Sequence, residues 1–229
     1  MRYVSTRGHG PVGFSDVLMG GVAPDGGLYL PEEWPEVGIE EEWADLPFSE
    51  IVARVLLPFT EPYFGLTDLR AMAGAAYADF RDPAIAPMRE LWDGVHLLDL
   101  TKGPTLSFKD YALALVARML DAALERSEAR ATVLGATSGD TGSAAIGALR
   151  GLDRVDVVML HPEGRVSDVQ RRQMTTVLDD NLRNVAVRGA FDDCQDLVKQ
   201  AFGDEALMAD HHLVAVNSIN WARIVVQAA

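Results

Sequence analysis

The chain has 229 residues, of which 48% are hydrophobic and 24% are charged. This balance is typical of globular proteins and excludes the disordered and fibrous classes, and a chain of this length can bury about 70–75% of its unfolded surface without disulfides or structural metals. Its 20 basic and 34 acidic residues give a net charge of −14, which argues against a general nucleic-acid binder. An anionic ligand would therefore need a local cluster of positive charge.

The sequence also bears on the compartment of the protein. No segment reaches the ~18–20 consecutive apolar residues that span a bilayer, and no apolar stretch follows the charged N-terminus as it would in a secretory signal. The single cysteine, Cys194, excludes an intramolecular disulfide framework. We therefore expect a soluble, cytoplasmic protein that makes no contact with membranes.

Residues 1–90 hold nine of the eleven prolines and are expected to form a small α+β domain of short elements. Asp25-Gly26-Gly27 predicts a turn into a strand over residues 28–31. Hydrophobic spacing and the polar residues that precede it predict helices over residues 49–57 and 67–80, with Ser49 and Thr67 as their caps.

Residues 91–229 follow a more regular pattern and form the second expected domain. Short apolar runs predict strands over residues 95–100, 131–135, 155–160, 185–187 and 213–216. Helical spacing predicts helices over residues 112–124, 142–149, 166–177, 194–202 and 219–229. This alternation predicts an α/β fold with mostly parallel open sheets and flanking helices. The last helix has no Gly, Asn or Pro to end it, which is compatible with a natural C-terminus and equally with a chain truncated at its C-terminal end.

The first candidate site is the loop at residues 101–110, TKGPTLSFKD, between a predicted strand and a predicted helix. Ligands of open α/β sheets bind at such loops. Lys109 is expected in the first helical turn, where the helix dipole and burial beside Phe108 ease loss of the ammonium proton. A neutral amine there can form a Schiff base with an aldehyde cofactor. The alternative is a surface lysine paired with Asp110 or Asp99.

The second candidate site is the loop at residues 135–143, GATSGDTGS, which also joins a strand to a helix. Its hydroxyls and glycine amides at a helix N-terminus predict an anion pocket. It lacks the lysine of a phosphate loop, and its glycines do not fit the dinucleotide-binding pattern. The alternative is a capped turn, with Asp140 or Thr141 as the N-cap and the small residues allowing close packing.

Other reactive residue types are interpreted as structural. Cys194 lies among apolar residues and is expected to be a small core residue. His161 is expected in a loop. His211 and His212 are expected to face solvent, because no second ligand pair has the spacing of a metal site.

Taken together, GPTLSFKD at residues 103–110 and ATSGDTG at residues 136–142 resemble threonine synthase. That family belongs to the pyridoxal-phosphate enzymes with a tryptophan-synthase-β-like fold, known as fold type II. Further stretches match the family in order, at residues 5–8, 23–31, 161–167, 191–195 and 217–223. The chain is therefore similar to the N-terminal half of a threonine synthase.

The resemblance implies the conversion of O-phospho-L-homoserine and water to L-threonine and phosphate, with pyridoxal 5'-phosphate as cofactor and no metal. Lys109 matches the Schiff-base lysine of the family, with Phe108 and Asp140 beside the cofactor. The implied substrate contacts are Thr105, Thr137, Ser138, Gly139, Asp140 and Thr141. Many fold type II relatives have Asn at the position of Asp140, near the cofactor's phenolic oxygen, where an ionised Asp would repel a phenolate.

The sequence departs from the family pattern in two ways. The smaller departure is Lys102, which stands where the family commonly has His. The larger departure is the absence of two cofactor-binding segments. The family's glycine-rich cradle for the cofactor phosphate, and its partner for the pyridine nitrogen, lie downstream of the last matching stretch. We therefore expect the 229 residues alone to be inactive. Two alternatives are another fold type II lyase, either a dehydratase or an O-phosphohomoserine phospholyase, and an inactive truncated fragment.

Overall fold

The structure is a computed structural model that describes residues 1–215 and 218–229. Val216, the last residue of a predicted strand, and Asn217, which begins the matching stretch at residues 217–223, lie outside the described residues. Within the described ranges, no helix combines the length and the apolar character needed to cross a membrane.

The N-terminal region consists of short elements, as predicted. Two antiparallel strands, β1 (Tyr3–Ser5) and β2 (Tyr29–Pro31), pair with each other. The helices are α1 (Phe14–Gly20), a 3-10 helix (Glu41–Asp45), α2 (Phe48–Thr60) and α3 (Leu66–Tyr77). The turn into β2 and the existence of α2 and α3 are confirmed, whereas α1 was not predicted.

The predicted caps of the two longer helices are wrong. Ser49 and Thr67 lie inside α2 and α3, whose cap positions are Pro47 and Gly65. The backbone N–H of Gly65 donates to the Asp68 carboxylate at 3.1 Å. This carboxylate satisfies the N–H of the cap residue itself, whereas Gly65 has no side chain to accept from the first-turn N–H groups of α3.

The second region contains the predicted parallel sheet. Its four strands are β5 (Ala131–Ala136), β6 (Val155–Pro162), β7 (Leu182–Val187) and β8 (Leu213–Val214), in the order β7-β6-β5-β8. All neighbouring strands are parallel, which confirms the α/β class. The connecting helices are α5 (Asp140–Leu149), α6 (Asp168–Thr175), α7 (Phe191–Phe202) and α8 (Glu205–His211), of which α8 was not predicted.

The strand predicted at residues 95–100 lies outside this sheet. It forms β4 (Val95–Leu98), which pairs antiparallel with the unpredicted β3 (Met88–Trp92). Gly94 has a φ of +72° in the turn between them, and an Asp-Gly pair is a strong hairpin signal because glycine accepts this conformation. Both strands of this hairpin are exposed.

The helix α4 (Lys109–Arg126) lies between two hydrophobic cores. Leu115 and Met119, four residues apart on one helix face, pack in the core built mainly from the N-terminal region. Leu113 and Leu120, on another face, pack in the core beneath the parallel sheet. One helix therefore links the two regions through buried apolar contacts.

The last helix, α9 (Trp221–Val226), returns to the first core. Trp221 and Val225 are buried there together with residues of α1, α2 and α4. The Asn220 side-chain amide donates to the carbonyl of Leu18 at 3.1 Å. Because residues from both sides of position 90 share this core, the division into domains at 1–90 and 91–229 stays a prediction.

The α2–α3 pair is joined by an ion-pair cluster that supplies a test of stability. The Glu50 carboxylate, whose side chain is 15% exposed, accepts from Arg70 at 2.5 and 2.6 Å and from Arg54 at 2.7 Å. The hydrogen bonds from Arg70, followed by those from Arg54, outweigh partial burial and hold the pKa of Glu50 at about 2, below its ordinary value of 4.5.

We predict that Glu50→Gln lowers the free energy of unfolding by about 1 kcal/mol at pH 7, since the arginines that contact Glu50 are partly exposed and screened. A lowered folded-state pKa stabilises the fold above pH 4.5, and that contribution is lost as the pH falls towards 2. Urea unfolding between pH 7 and pH 2 measures this difference. The exposed loop substitution Glu36→Gln is the control, and a difference that stays constant across this pH range would contradict the prediction.

Candidate active site

A cleft of about 530 Å³ opens at the carboxyl end of the parallel sheet, within the size range of small-molecule sites. Its floor includes the end of β5, and its walls come from the beginnings of α4 and α5 and from α7 and α9. Lys109, Lys199 and Arg223 line it, and no Asp or Glu is found among its lining residues in the described part of the chain. Two of these cations are paired with carboxylates outside the lining, Lys109 with Asp140 at 3.4 Å and Lys199 with Asp196 at 3.0 Å. Arg223 is therefore the lining cation that has no ion pair within the described part of the chain.

Lys109 is the first residue of α4, in the first helical turn as predicted. Its side chain is 19% exposed, and its Nζ lies 3.4 Å from Oδ2 of Asp140. The same Nζ lies 4.5 Å from the centre of the Phe108 ring, a distance at which a cation is attracted to the ring face. Phe108 and Asp140 thus contact the amine directly, whereas Lys109 and Thr141 line the cleft.

The alternative partners considered for Lys109 are wrong. Asp99 pairs with Lys102 at 2.9 Å instead. Asp110 is buried and accepts from the backbone N–H and the hydroxyl of Thr105, at 2.8 and 2.6 Å. Burial raises the pKa of Asp110, and the hydrogen bonds from Thr105 act in the opposite direction. The carboxylate next to Lys109 in sequence therefore holds the preceding loop in shape.

The second loop is fixed by a buried hydroxyl. Thr137 Oγ1 accepts from the backbone N–H groups of Gly139 and Gly142, at 2.9 and 2.8 Å. Gly139 is the cap residue of α5 and has a φ of +145°, so the prediction of Asp140 or Thr141 as N-cap is wrong. A Cβ at Gly142 would overlap the methyl group of Thr137, which explains the small residue there.

The structure divides the predicted site residues into two groups. The first group is at the cleft. Lys109 and Thr141 line it, and Phe108 and Asp140 contact the Lys109 amine. The other predicted residues lie in the two loops but outside the cleft lining, namely Thr105, Thr137, Ser138 and Gly139. Thr105 and Thr137 use their hydroxyls to hold these loops, and their role as substrate contacts stays a prediction.

Arg223 is a cleft residue to which the sequence analysis assigned no role. It lies in α9, is only 3% exposed, and its Nε is buried without a hydrogen-bond partner. Burial lowers the pKa of its guanidinium from the usual value, yet an arginine side chain remains charged in proteins. The signal that could have found it is its place after a third strand-to-helix junction, between β8 and α9.

The remaining candidates are not part of the cleft. Cys194 is buried, as predicted, and burial raises the pKa of its thiol. His211 and His212 are exposed, as predicted. His161 is not in a loop but buried in β6, because that strand extends to Pro162. No group of side chains that could hold a metal occurs within residues 1–215 and 218–229.

We predict that Thr137→Val lowers the free energy of unfolding by about 1–3 kcal/mol, because two buried backbone N–H groups lose their acceptor. Urea unfolding measures the change. Thr132→Val on β5 is the matched control, since it makes the same chemical change outside this loop. A loss of stability no larger than that of the control would show that the Thr137 hydroxyl does not hold the loop.

Comparison with known proteins gives a consistent result. The family model for the threonine synthase N terminus matches residues 2–77. The threonine synthase of Pseudomonas aeruginosa is 50% identical over 99% of this chain and 49% of its own length. The Schizosaccharomyces pombe enzyme is 44% identical over 98% of this chain and 46% of its own length.

Solved structures agree with these matches. A pyridoxal-phosphate-bound threonine synthase from Brucella melitensis superimposes with a TM-score of 0.94 at 47% identity, over 99% of this chain and 50% of its own. Threonine synthase from yeast gives a TM-score of 0.90 at 38% identity, over 99% of this chain and 48% of its own. The chain spans about half the length of the curated relatives it matches. By sequence and by fold, the chain is similar to about half of a threonine synthase, including its N-terminal part.

Proposed function

We propose that this chain forms the lysine-bearing part of a threonine synthase that converts O-phospho-L-homoserine and water to L-threonine and phosphate. The observation that carries the proposal is the cleft at the end of the sheet, where the Lys109 amine lies at the start of α4 and the buried Arg223 guanidinium lines the wall. Arg223 has no ion pair within the described residues, and a buried guanidinium favours a phosphate ester over a neutral amino acid.

Pyridoxal phosphate fits the residues of this cleft, and it is bound in the Brucella melitensis structure. The partly buried amine of Lys109 would hold it, next to the hydroxyl of Thr141. When bound, this cofactor supplies an electron sink that stabilises negative charge beside the amino-acid nitrogen. We further propose that the protein is a fold type II enzyme of the cytoplasm.

Lys109 has a second task in this proposal, the movement of protons. Its amine would take and return protons at Cα and Cβ of the substrate, while phosphate leaves from Cγ and water adds at Cβ. The amine lies at the start of α4, 3.4 Å from Oδ2 of Asp140, so this carboxylate is the charged group beside it during these transfers.

The two ends of the substrate would be held by different elements. Backbone amides and hydroxyls at the start of α5, around Ser138 and Thr141, would bind the carboxylate of the substrate. Arg223 would bind its phosphate, because a buried guanidinium whose Nε lacks a partner is stabilised by a dianion. A phosphate partner would also offset the unfavourable burial of this charge.

The activity is tested with two proteins, the 229-residue chain and a chain extended to the length of its relatives. We expect the extended protein to release threonine and phosphate in equal amounts from O-phosphohomoserine, and the short chain to turn over poorly. Lys109→Ala in the extended protein should abolish both products. Phosphate release without threonine would indicate a phospholyase instead, and full turnover by the short chain would show that its 229 residues suffice.

We predict that Arg223→Met in the extended protein raises the KM for O-phosphohomoserine by about 10- to 150-fold, since a charge-assisted contact to phosphate is lost. The cofactor content, measured by absorbance, should be retained. The exposed helix substitution Arg172→Met makes the same change outside the cleft and serves as the control. An unchanged KM would contradict the prediction that Arg223 binds the substrate phosphate. A loss of cofactor with no effect on substrate affinity would contradict it as well.

A further inference from the structure

The residue that contacts Asp140 from the far side is Gln170, in the first turn of α6. Its side-chain amide Nε2 donates a hydrogen bond to Oδ1 of Asp140. The other oxygen of the same carboxylate, Oδ2, lies 3.4 Å from Nζ of Lys109. Asp140 therefore bridges an amide on α6 and an amine on α4, with one oxygen for each.

The orientation of the Gln170 amide is set by Ser167. The Ser167 hydroxyl donates to Oε1 of Gln170 at 2.8 Å, and it accepts from the Gln170 backbone N–H at 3.3 Å as the cap of α6. A hydroxyl has one hydrogen to donate, and the amide oxygen is its acceptor here. The amide nitrogen of Gln170 is thereby left to face Asp140.

The loop before α5 leaves room for this contact. Gly139 has a φ of +145°, a conformation that favours glycine. A Cβ at this position would overlap the side-chain amide of Gln170. The absence of a side chain at Gly139 thus allows α6 to place Gln170 against the carboxylate that follows.

We propose that Gln170 is a positioning residue that holds the Asp140 carboxylate against Lys109 and so keeps the Lys109 amine in this ion pair. The side chain of Asp140 is 51% exposed, and without a second partner its carboxylate can turn into water. The hydrogen bond from Gln170 removes that freedom and directs Oδ2 towards Nζ. This inference deepens the proposed role of Lys109 and rests on it for its relevance to catalysis.

The test measures the reactivity of the Lys109 amine in the chain without cofactor. An acylating reagent at pH 8 labels neutral amines, and peptide mass spectrometry gives the rate at Lys109 relative to the exposed Lys199. Gln170→Leu should raise this relative rate by about 1.5- to 5-fold, the range expected when an ion pair of this exposure is lost. Gln170→Asn, which keeps the amide but is too short to reach both partners, should raise it similarly.

Gln200→Leu is the matched control, because it makes the same substitution on α7 at a position outside the cleft lining. It should leave the labelling rate unchanged. Circular dichroism on each variant confirms that the fold is retained.

A double-mutant comparison separates positioning from a general loosening of α6. Asp140→Asn should raise the Lys109 rate to the same extent as Gln170→Leu, and the double variant should show no further increase, because both changes remove one interaction. An unchanged rate in Gln170→Leu, or effects of the two substitutions that multiply, would overturn the proposal. Failure of the protein to bind cofactor would count against the proposed function without affecting this result.

Discussion

The packing of α4 between two hydrophobic cores is the constraint on which the rest of the structure depends. Met119 is held in the N-terminal core and Leu120 in the core beneath the sheet, so neither region can move without displacing this helix. Lys109 is the first residue of α4. The position of the reactive amine at the end of the sheet therefore follows from apolar packing one to three turns further along the helix.

Several polar residues of the two loops form hydrogen bonds within the loops and do not line the cleft. Thr105 and Thr137 satisfy Asp110 and the N-terminus of α5, respectively. These buried hydrogen bonds fix the loops, because an unsatisfied polar group in the interior carries a free-energy penalty. The charged groups that line the cleft are Lys109, Lys199 and Arg223. The two lysines are paired with carboxylates, so Arg223 is the lining cation without an ion pair in the described part of the chain.

The sequence predicted those features that depend on local periodicity and chain order. Alternating apolar runs gave the parallel strands, and the rule that ligands bind where strands end led to Lys109 and to the loop that contains Asp140. The hairpin was not predicted because an apolar run such as residues 95–98 does not distinguish a parallel from an antiparallel partner, and here the partner is the adjacent β3. The helix caps were wrong because α2 and α3 begin at Phe48 and Leu66, one residue before the predicted hydroxyls, after cap residues that have no capping side chain.

Contacts between distant segments could not be predicted in this way. The ion pair between Lys109 and Asp140 joins residues 31 positions apart, and the contact between Asp140 and Gln170 spans 30 positions. The burial of Arg223 likewise brings together residues far apart in the chain, since it lines the same small cavity as Leu18 and Val116. Such features depend on how elements meet in three dimensions, and no spacing rule within a single element reveals them.

The central claim is that the amine of Lys109 carries the cofactor in this cleft. Borohydride reduction of the extended protein in the presence of pyridoxal phosphate, followed by peptide mass mapping, measures directly which lysine is modified. The three lysines of this chain are Lys102, Lys109 and Lys199. We predict that the label is on Lys109, and a label on any other lysine, with Lys109 unmodified, would contradict the claim.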